Sequence, residues 1–208
     1  MRRSKQSLPS PAPGRRWLRR LWPDAADRAR REVADRLYRD LVKQARRPEF
    51  YRDLGVPDTP EGRFEMVGLH LALVVRRLRA AGPPGSALAQ EVFDLMSADM
   101  DESLRHIGIG DLSVGRHVKR LAGYFYARLR ALDEALAVTP SAPLAPMLRS
   151  NVYQGGAAPR PHQVDALAGY LLAAEAALRT QSTELLLVGQ VDWIPPEAAR
   201  GETSSEDR

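Results

Sequence analysis

The chain contains no cysteine, which excludes disulfide scaffolds, thiolate catalysis and zinc ribbons in one step. Aromatic residues are scarce, 6% against a hydrophobic content of 44% that is largely Leu and Ala. A sandwich or barrel draws on β-branched and aromatic strands, so this balance favours helices. No apolar run approaches the ~18 residues needed to cross a bilayer, and the N-terminus lacks the apolar core of a secretory signal. The protein is therefore expected to stay on the side of the membrane where it is made. Catalytic signatures are missing as well. His70, His106, His117 and His162 fall in no HExxH or His/Cys spacing, and no serine or threonine sits in a nucleophile elbow. The run Gly108-Ile109-Gly110-Asp111-Leu112-Ser113-Val114-Gly115 has the wrong spacing for a dinucleotide fingerprint and lies between helices rather than after a strand.

Charge is unevenly distributed along the chain. Residues 1–23 carry seven basic side chains and no acid, whereas the rest of the chain holds 24 basic and 26 acidic groups. The high pI thus belongs to a tail, which argues against a basic groove on the folded domain. Within the tail, Trp17, Leu18, Leu21 and Trp22 share one helical face, with Arg15, Arg16, Arg19 and Arg20 around them. This stretch suits an anionic lipid interface, ribosomal RNA phosphates, or simply a solvated basic tail.

What is present is helical periodicity. The 208 residues read as a basic tail (1–23), one helical domain (24–194) and a polar tail (195–208), the domain being an all-α bundle of about six helices. A first helix over about 24–45 turns Val33, Leu37, Leu41 and Ala45 inward and stops before Pro48. Residues 49–60 read as a loop with apolar anchors. Asp58 or Thr59 caps a second helix over about 61–81, with Pro60 in its first turn. Phe64, Val67, Leu71, Val74 and Leu78 form its stripe, with His70 at the edge. Gly82-Pro83-Pro84-Gly85 makes a turn into a helical hairpin over 91–137, whose corner is Gly108 to Asp111 and around which the bundle is expected to be organised. A short helix over about 142–152 and an alanine-rich one over about 162–181 follow. Residues 184–193 are ambiguous between helix and extended chain.

Asp94, Asp99, Asp101 and Glu102 form the one acidic cluster that invites a metal-site reading. Its spacing is wrong for an aspartate-rich magnesium box, and Asp101 can pair with Arg105 at i+4. The residues themselves show no reaction centre. A helical enzyme acting on an isoprenoid or quinone-like substrate and a peripheral membrane or ribosome adaptor stay open as alternatives.

Several motifs carry a family resemblance. Phe50-Tyr51, Gly55 to Thr59, Gly62-Arg63-Phe64, Leu69-His70 and Arg76-Arg77 resemble a first signature of the ubiquinol-cytochrome c chaperone family. Phe93, Met96, Asp99-Met100-Asp101, Leu104-Arg105, Gly108 to Asp111, Phe125-Tyr126 and Leu132 to Leu136 resemble a second. Leu144 and Leu148 to Asn151 resemble a weaker third. The resemblance implies an assembly chaperone of respiratory complex III rather than an enzyme, with no catalytic residue, metal or cofactor. Its implied partners are newly made cytochrome b or another complex III subunit. The composition of the tail, and not the resemblance, makes Arg15, Arg16, Trp17, Arg19, Arg20 and Trp22 the candidate contact with a ribosome or an anionic membrane. The place implied by the resemblance is the cytoplasmic face of the bacterial inner membrane; oligomeric state stays open. The candidate client-binding and motif positions are Phe50, Tyr51, Arg63, Phe64, His70, Arg76, Arg77, Asp99, Asp101, Phe125 and Tyr126. Among them the partly apolar loop 50–57 with Phe125 and Tyr126 would line a groove, and Arg63, Arg76 and Arg77 would form its rim. Filling the core is the competing role for the aromatics.

Overall fold

The structure is a computed structural model that describes residues 25–106, 123, 125–135, 144–154 and 156–199. Every regular element among these residues is helical, as expected. The helices are α1 (Ala25–Ala45), α2 (Pro48–Arg52), α3 (Pro60–Arg79), α4 (Gly82–His106), α5 (residues 125–135), α6 (Leu144–Asn151), α7 (Pro161–Thr180) and α8 (Thr183–Leu187), followed by a 3₁₀ turn, Pro196–Ala199.

Helices α1, α3 and α4 pack on one another, and α7 closes the remaining side of α3. The amphipathic stripe expected on α3 proves too narrow. Leu69 through Val75 are buried without interruption, and a helix that is apolar all round must lie inside the bundle. Thr59 caps it by accepting from the Gly62 amide at 3.2 Å, with Pro60 in the first turn. The backbone amide at 62 would serve the cap from any residue but proline; glycine is required there because a side chain would run into the Pro57 carbonyl.

Of the expected hairpin, the first arm is α4 and the second is α5; residues 107–122, with the glycine corner, lie outside the described ones. Phe125, Leu129, Leu132 and Ala135 are the buried positions of α5. Arg128 donates twice to Glu65 of α3, at 3.1 Å each. Helix α4 begins earlier than expected. Gly82, with φ +78°, makes the corner alone, and Pro83 and Pro84 then occupy the first helical turn, where their missing N–H groups have no intrahelical partner to lose.

Three further departures share one cause, the tertiary context of a short segment. Residues 49–52, read as loop, belong to α2, with Pro48 supplying the first turn. The ambiguous run resolves into α8, capped by Ser182 at 3.2 Å from the Glu184 amide, and an extended segment returning over the core. The 3₁₀ turn at 196–199, expected in a polar tail, packs on α7 and α2 with Pro196 buried, so the ordered fold extends past residue 194.

Candidate functional site

Eleven candidate positions lie within the described residues, and they separate by burial and partner. Phe50 and His70 are wholly enclosed. Their rings meet edge to face at 5.4 Å, Phe50 also meets Tyr170 at 4.8 Å, and Trp193 covers His70 at 5.1 Å. The Met66 carbonyl can only accept, so His70 Nδ1–H donates to it at 2.7 Å, and Nε2 accepts from the Tyr170 hydroxyl at 2.8 Å. Gln44 Nε2 in turn donates to Tyr170 at 2.9 Å and to the Ile194 carbonyl at 2.8 Å. This chain suits a neutral imidazole, and burial pushes the His70 pKa down to about 4 despite the opposing effect of its bond to the Met66 carbonyl. Gln44, Tyr170 and Trp193 escaped sequence reasoning. The available signal was a glutamine one helical turn from Leu41, on the face that buries Leu37 and Leu41.

The apolar members of the loop expected to line a groove face inward instead. Phe50, Leu54 and Val56 all belong to the core. The loop is tied down where Tyr153 donates to the Leu54 carbonyl at 2.8 Å. Tyr51 is half-buried, and its hydroxyl donates to the Ala45 carbonyl at 2.8 Å. With Arg46, Pro48, Arg52, Asp58 and Arg63 it lines an open groove of about 520 Å³. Arg63 pairs with Asp58 at 2.6 Å and holds that carboxyl below its usual range. Phe64, half-buried, packs against the core.

At the other end of α3 the arginines are already engaged. Arg76 pairs with Asp133 and lies 3.5 Å from Glu175. Arg77 donates to the Leu178 carbonyl at 2.9 Å, the Gln181 carbonyl at 2.8 Å and Thr183 Oγ1 at 2.9 Å, closing the C-terminus of α7. Both line a second groove, about 310 Å³, with Arg79, Arg179, Leu73 and Leu178. Arg79 leads from it to an aromatic patch, since its guanidinium lies 6.0 Å from the Tyr126 ring. Phe125 is buried against Phe93 at 5.0 Å, whereas Tyr126 is 44% exposed. Asp99 accepts from Tyr38 at 2.7 Å, tying α4 to α1, and Asp101 is half-buried on α4. The side chain of Arg105 and residues 1–24, including the whole Arg/Trp stretch, lie outside the described residues.

The candidates therefore form two shallow surfaces, each joining an aromatic ring to a guanidinium. One is Tyr51 with Arg63; the other is Tyr126 with Arg79. Sixteen residues of α3 separate the two arginines, about 24 Å of helix. Among the described residues no group of three or more His, Asp or Glu side chains is placed to hold a metal ion. Such surfaces suit reversible docking of a polypeptide.

Comparison with known proteins bears on the family and the fold. The ubiquinol-cytochrome C chaperone model matches residues 52–193. Ubiquinol-cytochrome c reductase complex assembly factor 1 of Mus musculus is 25% identical over 164 residues, which cover 78% of this chain and 55% of that protein. The Xenopus laevis factor of the same description is also 25% identical, with 81% of its length covered, and the Homo sapiens factor is 23% identical, with 54% covered. The chain thus spans about half the length of its mouse and human relatives. Among solved structures, the crystal structure of the Cbp3 homolog from Brucella abortus matches with a TM-score of 0.74 and 35% identity, over 87% of this chain and 96% of that one. The matched residues run from the end of α2 through α8 to Trp193, so motif order and bundle coincide, and the chain belongs to the ubiquinol-cytochrome C chaperone family, a family of assembly factors rather than enzymes.

Proposed function

We propose that the chain is an assembly chaperone for ubiquinol-cytochrome c reductase, respiratory complex III, and that its client is newly made cytochrome b. The observation that carries this reading is the family match across 52–193, joined by relatives described as assembly factors of that reductase. The physical logic is shielding. A membrane protein awaiting its partners exposes apolar helices and loops to water, and an aromatic ring beside a guanidinium can hold such a segment and its polar flank reversibly. Tyr51 with Arg63 and Tyr126 with Arg79 supply two such contacts.

The proposed place of this work is the cytoplasmic face of a bacterial inner membrane. No helix among the described residues is long and apolar enough to cross a membrane, and the proposed attachment is peripheral. The stretch Arg15-Arg16-Trp17 to Arg19-Arg20 and Trp22 would meet anionic lipid or the ribosome. Deleting the gene should lower assembled cytochrome b and complex III activity together, and the tagged chain should capture cytochrome b during its synthesis. Normal levels of both in the deletion strain would contradict the assignment.

A further inference from the structure

We infer that α1 and α8 form a docking surface, on the folded domain itself, for a bilayer with anionic headgroups. The inference rests on the proposed station at a membrane and names the part of the fold that meets it. Leu185 and Val188 are 47% and 51% exposed, and Tyr126 is the other exposed large hydrophobic side chain among the described residues. Spaced i, i+3 at the end of α8, they share a face. That tip lies against α1, because Arg36 donates to the Val188 carbonyl at 3.2 Å and Gly189 abuts the Val33 carbonyl and Arg36.

The exposed flank of α1 is cationic although the helix carries both signs. Its exposed charged residues from Ala25 through Arg46 are Arg28, Arg31, Arg36, Arg39, Lys43 and Arg46 against only Glu32 and Asp40. Of the other acids of the helix, Asp27 pairs with Arg30 at 2.6 Å and Asp35 offsets Arg39, while Glu91 of α4 lies 3.8 Å from Arg31, so Arg28, Arg36, Lys43 and Arg46 carry the excess over Glu32 and Asp40. From Arg28 to Lys43 the flank runs about 22 Å, long enough to lie along several headgroups. Cations alone would serve a nucleic acid equally well. The aliphatic tip decides for lipid, since a phosphate backbone offers nothing apolar to Leu185 and Val188 whereas the headgroup and acyl boundary does.

The test uses the full chain and sedimentation with vesicles of phosphatidylglycerol and phosphatidylcholine in equal parts, against vesicles of phosphatidylcholine alone. Leu185→Ser with Val188→Ser, and separately Arg28→Glu with Lys43→Glu, should each weaken partition onto the anionic vesicles by about tenfold. Circular dichroism should stay unchanged, because all four side chains are exposed, and binding to the neutral vesicles should be weak throughout. Unchanged anionic binding by both variants would overturn the inference and leave attachment to the N-terminal stretch. Equal binding to neutral vesicles would also overturn it, as would aliphatic variants that keep vesicle binding and lose cytochrome b capture. Complex III levels in the gene-deletion strain are read separately, so the assembly role can stand while this surface falls.

Discussion

At the scale of single residues, His70 shows how a motif position can be a matter of stability. Its imidazole is neutral, buried and bonded at both nitrogens, with a pKa of about 4 against an ordinary value of 6.5. The unfolded chain therefore binds a proton more readily than the native one between those values, and stability rises with pH across that window. The contribution is complete above pH 6.5 and is lost as pH falls toward 4. Between pH 7 and 4.5 the loss should amount to about 2 to 3 kcal/mol. Carboxylates also titrate near the lower end, so the measurement is a difference. Urea unfolding of the parent chain and of His70→Gln, at both pH values, should show the parent losing that much more; parallel losses would mean that His70 is not held neutral. Tyr170→Phe probes the same chain from its middle, leaving His70 Nε2 without its donor and Gln44 with one bond fewer. It should cost about 1 to 3 kcal/mol, read as a lower urea midpoint at pH 7.

Among elements, α3 separates what the sequence makes legible from what it does not. Its cap, its proline start and its apolar stripe are local features, and all three could be read directly. Its central place could not, because Leu69 to Val75 shows only as a widened stripe until neighbours on every side are known. The loop before it misled for a related reason: Phe50, Leu54 and Val56 are apolar whether they line a groove or fill a core, and only the fold chooses. Likewise, the sequence shows the arginine cluster at the end of α3 as a favourable dipole contact, but the bonds from Arg77 to α7 and Thr183 join residues about a hundred positions apart. Arg77→Ala should free the carbonyls at the end of α7 and cost about 1.5 to 3 kcal/mol in urea unfolding. Arg77→Lys should recover less than half of this, since an ammonium cannot reproduce the planar fork that reaches three acceptors. Full recovery by lysine would reduce the contact to simple charge.

Across the whole molecule, the two aromatic and guanidinium surfaces raise the question of whether a client meets one or both. They sit near opposite ends of α3, about 24 Å apart along its axis and, after about 160° of helical turn, on different sides of it, so a bridging segment must be longer than the roughly seven extended residues that the axial distance alone would need. Arg63 pairs with Asp58 at the surface, with both side chains more than half exposed, and Tyr126 is 44% exposed. Substitution of Arg63 should therefore leave stability within about 0.5 kcal/mol, whereas Tyr126→Ala also removes ring contacts with Phe93 and Phe125 and should cost about 1 kcal/mol, too little to unfold the chain. Loss of function in such variants then reports on docking rather than on folding. If one client segment bridges both surfaces, the second contact forms at the high effective concentration set by the first. Arg63→Glu and Tyr126→Ala should each reduce capture of newly made cytochrome b, and the double variant should reduce it by roughly the product of the two factors. A client that uses one surface gives a different pattern, in which one substitution has no effect and the double variant matches the other single. Unchanged capture in all three would remove both surfaces from the docking step and direct attention to the described surface beyond the ends of α3.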